Sequence, residues 1–136
     1  MLNDLYTVAG ENLTGTPWEV YPRPQMKRDS YLNLNGEWDF GIGNFRFPDP
    51  YEKKILVPFC PESALSGIHE HFPEGSCLCY QRKFTLPEGF RKDRVLLHIG
   101  AADQTTKIYV NQKEVGSHIG GYTSFTCDIT SALAEE

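Results

Sequence analysis

The chain concentrates its reactive side chains between Phe59 and Ser76, where Glu62, Ser63, His69, Glu70, His71 and Glu74 share one stretch. Carboxylates, hydroxyls and imidazoles this close together can trade protons or hold a hydroxyl-bearing ligand. A metal reading also arises, because His69-x-His71 followed by Cys77-x-Cys79 supplies four ligands of the types zinc takes. Zinc needs all four to converge tetrahedrally. Cys79 opens a segment that alternates like a strand, so the preceding loop would have to fold back onto it. The spacing matches none of the usual zinc patterns. No metal and no cofactor is expected, and the cysteines read as small apolar residues.

Other constellations are weaker still. Ser63 lies outside any Gly-x-Ser-x-Gly frame and is no nucleophile elbow; with Ser66 and Gly67 it reads as a turn former. Gly116, Gly120 and Gly121 lack the following Lys-Ser/Thr and the parallel βαβ setting of a phosphate loop. His98 falls on the outer side of an alternating segment. Arg82 is the odd residue, because it shares a face with Leu78, Tyr80, Phe84 and Leu86, which alternation turns inward. A buried guanidinium must be paired or reach the rim. Asp128 and Asp103 are its candidate partners, in a structural ion pair.

These residues sit in a chain of 136 residues, long enough for one domain with a single core. Its 13 Lys+Arg against 18 Asp+Glu give a net charge of −5 with no basic cluster, which argues against nucleic acid and anionic membrane as partners. No apolar run approaches the roughly 20 residues that span a bilayer. The amino terminus lacks the basic and apolar regions of a secretory signal, so a cytoplasmic location is expected. Cys60, Cys77, Cys79 and Cys127 form no obvious disulfide framework, consistent with a reducing compartment.

Apolar residues recur with period two, which predicts strands. Trp38, Phe40 and Ile42 share a face, as do Leu78 and Tyr80; Val95, Leu97 and Ile99 form a third set. Thr106, Ile108 and Val110 form a fourth, and Phe125, Cys127 and Ile129 a fifth. Asn35-Gly36, Pro87-Glu88-Gly89 and Gly120-Gly121 mark turns, and a tight hairpin is centred on Asn111-Gln112. No long helical stripe occurs. The expectation is an all-β sandwich over residues 31–136, preceded by an extended arm over 1–30 whose Pro17, Pro22 and Pro24 restrict the backbone.

The motifs now align with a known family. Tyr21-Pro22-Arg23-Pro24-Gln25 and Leu34-Asn35-Gly36-Glu37-Trp38-Asp39-Phe40 resemble the entry into glycoside hydrolase family 2, the β-galactosidase and β-glucuronidase group. Val57-Pro58-Phe59, Pro61-Glu62-Ser63, Tyr80-Gln81-Arg82-Lys83-Phe84 and Arg94 to Ala101 follow in family order. Tyr109-Val110-Asn111, His118 to Tyr122, Phe125 and Asp128-Ile129-Thr130 complete the series, spanning roughly residues 18–133. Tyr31 stands where the family usually has Trp. The chain stops at Ala134-Glu135-Glu136, whereas family members continue into further core strands, so an incomplete domain with an open sheet edge is expected.

The resemblance implies the amino-terminal sugar-binding-like domain, a galactose-binding-domain-like jelly roll that precedes an immunoglobulin-like domain and a catalytic barrel. It implies carbohydrate as ligand and the remaining glycosidase domains as partners. Family 2 chemistry uses two barrel carboxyl groups as nucleophile and acid/base. No position here matches them, so no catalytic residue is expected in this chain. The Phe59–Ser76 loop, with Glu62, Ser63, His69, Glu70 and His71, is the candidate wall of the substrate cleft, and Tyr122 a candidate stacking surface. Trp18, Tyr21 and Tyr31 are further aromatic candidates. The alternative for the loop is plain packing through Leu65, Ile68 and Phe72. Two other functions stay open: a free-standing carbohydrate-binding module, and an assembly domain that self-associates through its edge.

Overall fold

The computed structural model describes residues 3–20, 23–43 and 47–134. Among the described residues seven strands carry the fold, and every pairing between them is antiparallel. The α-helical content of the described residues is one turn, α1 (Val8–Glu11), whose first free amides are capped by the Thr7 hydroxyl accepting from Gly10 N at 3.1 Å. No helix among them is long and apolar enough to cross a membrane. The chain forms two compact units, Met1–Thr85 and Leu86–Glu136.

The first unit holds β1 (Gly36–Gly43), β2 (Lys53–Val57) and β3 (Cys77–Gln81), ordered β2-β1-β3. Trp38 lies opposite Ile55, and Phe40 opposite both Lys53 and Tyr80. Phe40 and Ile55, each 1% exposed, form the core with Ile68, and Trp38, Val57, Phe72 and Leu78 pack around them. Phe40 meets Phe72 and Tyr80 edge-on, at centroid distances of 5.7 and 5.2 Å. Such geometry places a positive ring edge against a negative ring face.

Face assignments change at Ile42, Tyr80 and Cys79; Tyr80, expected inward, is 39% exposed. Alternation turns Ile42 toward the core, yet it is 55% exposed. The β1–β2 register ends at Phe40 opposite Lys53, so Ile42 has only Leu78 of β3 beside it. Cys79 faces away from Tyr80 but is buried. Pro48 and Tyr51 close over its neighbour Gly41, where a Cβ would stand 3.0 Å from the Pro48 ring.

The second unit holds β4 (Leu96–Ile99) paired with β7 (Phe125–Asp128), and β5 (Thr105–Val110) paired with β6 (Lys113–Ile119). Asn111 and Gln112, at φ of 48° and 68°, make the two-residue turn between β5 and β6. Both angles are left-handed, as the twist of a tight hairpin demands. A bulge at Ile108/Tyr109 shifts the register along this ribbon. Val95, Cys127, Ile129 and Ala132 are buried. Gly116 permits β6 to approach β7, since a Cβ there would collide with the Cys127 sulfur.

Candidate functional site

The loop between β2 and β3 is built around one hydroxyl. Ser66, 1% exposed, ends a short 3-10 turn over Ala64–Ser66. Its Oγ donates to the Ser63 carbonyl at 2.7 Å, with the Pro61 carbonyl at 3.2 Å, and accepts from Ile68 N at 3.0 Å. Gly67, at φ 80°, reverses the chain immediately afterwards. The Glu70 amide then returns to the Pro61 carbonyl at 3.1 Å, closing the loop on itself. Ile68 and Phe72 anchor it to the core. A loop packed by its own interior presents its outer side chains in fixed positions.

Those outer side chains form separate pairs. Glu70 makes an ion pair with Lys53 of β2. His71 Nδ1 stands 3.9 Å from Glu62, and His69 Nδ1 stands 3.2 Å from Asp4 of the amino-terminal segment. Ser63 contributes its backbone, with its amide donating to Cys60 at 3.0 Å and its carbonyl accepting from Ser66. Tyr80 lies next to Glu62. Desolvation of its phenol, reinforced by the neighbouring Glu62 and Cys60, pushes its pKa up to about 12.

The amino-terminal segment lies on this loop. A Cβ at Gly10 would come within 3.1 Å of Leu65, and the Trp18 ring sits 6.1 Å from Phe59. Phe59 and Phe72 are partly buried, whereas Trp18 is 69% exposed. The loop histidines and cysteines do not converge: among the described residues, no group of three or more His, Cys, Asp or Glu is placed to hold a metal ion.

The remaining candidates lie elsewhere. Tyr122 is in the second unit, 97% exposed, beside the Gly120-Gly121 turn. Asp103 packs against Gly121 so closely that any side chain there would strike its carboxylate. Asp128 accepts from the Thr130 hydroxyl at 2.6 Å and from its amide at 3.0 Å, and Arg94 approaches at 3.1 Å. The Thr130 hydroxyl, then its amide, and Arg94 hold the Asp128 carboxyl below the ordinary carboxylate range.

Arg82 therefore has partners other than the carboxylates expected for it. Its Nη1 donates to the carbonyls of Leu34 and Asn35 at 2.8 and 2.7 Å. Two neutral oxygens at the entry to β1 are within reach of a long side chain just past β3, so Nη1 is satisfied by carbonyls rather than by a carboxylate. Tyr21, Pro22, Glu135 and Glu136 lie outside the described residues.

The turn-forming reading of Ser66 and Gly67 holds, with the Ser66 hydroxyl as its hub. Sequence reasoning missed two features, Lys53 as the partner of Glu70 and a hollow beside Ile42. Both depend on strand register and carried no local signal.

Comparison with known proteins adds the evolutionary frame. A family model described as "Glycosyl hydrolases family 2, sugar binding domain" matches residues 63–136. A β-glucuronidase of Paenibacillus borealis is 41% identical over 82% of this chain, which spans 20% of that protein. A β-galactosidase of Thermoanaerobacter pseudethanolicus is 31% identical over 79% of the chain, which spans 15% of it. Among solved structures, Faecalibacterium prausnitzii β-glucuronidase superposes with a TM-score of 0.64 at 29% identity, covering 84% of this chain and 20% of that one. The chain thus spans about a fifth or less of these relatives.

Proposed function

Because the chain belongs to glycosyl hydrolase family 2, as its sugar-binding β-sandwich domain, we propose that it serves a β-galactosidase- or β-glucuronidase-type enzyme by walling the sugar cleft. The observation that carries this is the family match over residues 63–136, which takes in Ser63, His69, Glu70 and His71 on the closed loop. The loop offers Glu62 and His71 as hydroxyl-reading groups, and Tyr122 offers an exposed ring for an apolar sugar face. Bond cleavage belongs to carboxylates outside this chain. A retaining pair needs one carboxyl kept protonated about 5 Å from an ionised one. Glu70 and Glu62 instead face Lys53 and His71.

We assign residues 1–30 to the arm and 31–136 to the sandwich domain. The free cysteines and the net charge of −5 support a cytoplasmic setting without nucleic acid or membrane as partner. Self-association through an open edge is the lesser reading, since Lys53 and Lys54 place charge on edge strand β2.

The test is kinetic. The chain alone should leave a chromogenic galactoside or glucuronide uncleaved. Within the parent enzyme, Glu62→Gln and His71→Ala should raise KM several-fold with kcat nearly kept. Turnover by the chain alone, or unchanged kinetics in both variants, would refute the proposal.

A further inference from the structure

Where β2 stops opposite Phe40, β1 runs on with one neighbour only, and a hollow of about 300 Å³ opens beside it. Phe40, Ile42 and Phe72 supply its apolar wall, and Asp49, Glu52 and Lys53 its polar rim. We propose that this hollow is a separate sugar subsite, accepting one neutral hexopyranose and rejecting a uronic acid. The inference rests on the sugar-binding reading of the domain, and it assigns that property to a place distinct from the Phe59–Ser76 cleft wall.

Three features carry it. The volume lies at the small end of ligand sites, suited to a single ring rather than an extended chain. Half-buried Phe72, held edge-on to Phe40 at 5.7 Å, gives a fixed aromatic surface for the C–H face of a pyranose. Asp49 and Glu52 are exposed acceptors for sugar hydroxyls, and neither has a cation among its described ion-pair partners. Lys53 cannot offset them fully, because Glu70 already engages it. Among the described residues the rim therefore carries two carboxylates against one already engaged lysine, and a uronate carboxylate would meet like charge there.

The experiment is a titration of the isotope-labelled full chain, followed by amide NMR, with methyl galactoside, methyl glucoside and methyl glucuronide in separate arms. Saturable shifts at Ile42, Glu52 and Lys53 are expected with at least one neutral sugar and not with the glucuronide. Asp49→Asn combined with Glu52→Gln should weaken that binding about tenfold, the scale of losing a hydrogen bond to a charged group. Both residues are exposed, so the fold should survive, and an unchanged amide spectrum elsewhere checks this. Silence at the hollow with every sugar, equal response to the glucuronide, or undiminished affinity in the double variant would each overturn the subsite. Shifts confined to residues 61–71 would also overturn it while leaving the cleft-wall role intact, because that role is judged by the kinetics of Glu62 and His71.

Discussion

Gly36 and Arg82 are fitted to each other: a Cβ on Gly36 would stand 3.0 Å from Arg82 Nη1, the atom that donates to the Leu34 and Asn35 carbonyls. Gly36 also sits at φ 125°, a conformation side chains resist. Leu34 is shared further, since its carbonyl accepts from Trp38 Nε1 at 2.7 Å. One polar knot thus fixes the entry to β1.

Gly36→Ala should destabilise the fold by about 1–3 kcal/mol, through backbone strain and displacement of the guanidinium. Arg82→Met should be destabilising too, because it leaves two carbonyls without their donor. In the double variant the effects should fall short of their sum, since the displaced group is already gone. Chemical denaturation of the four proteins checks this, and strict additivity would mean that the contact is incidental.

Ser66→Ala should cost about 1–3 kcal/mol, the penalty of stranding buried polar partners. Hydrogen exchange should accelerate at Ile68 and Glu70 before the strands respond. Ser63→Ala should be near neutral by the same measurements, since Ser63 contributes its backbone to this network.

Alkaline pH should weaken the fold through Tyr80. Its folded pKa, about 12, exceeds the ordinary value of 10.0, so between these values the unfolded chain releases a proton that the folded chain keeps. The stability contributed is fully present below pH 10 and is lost as pH rises toward 12. Tyr80→Phe should flatten this part of the stability–pH curve, and ultraviolet titration should show the variant losing a late-ionising phenol.

Phe72→Ala should lose about 2 kcal/mol or more, as a ring wedged against Phe40 leaves a void. Trp18→Ala should change stability by under about 1 kcal/mol, given how much of its ring is already exposed. Thermal melts of the two variants decide between packing and surface roles.

Period-two alternation and turn chemistry made most strands legible, down to the Asn111-Gln112 reversal, but not β2, whose short Lys53–Val57 run shows no alternating pattern. Alternation says which residues share a face but not where a neighbouring strand ends, which is why Ile42 was assigned inward. Arg82 was recognisable as a polar residue on an apolar face; its carbonyl partners were not, because they lie 47 and 48 positions away. The Phe59–Ser76 segment stood out by its length and residue types. Its pairings, Glu70 with Lys53 and His69 with Asp4, arise only when distant elements meet.

A loop secured from within by the Ser66 hydroxyl does not depend on its rim side chains for its backbone course. Glu62, Ser63 and His71 can be exchanged for other polar or aromatic residues while the backbone keeps its course. The proposed cleft-wall role predicts that such replacements change which glycoside the parent enzyme favours while the supporting architecture stays constant.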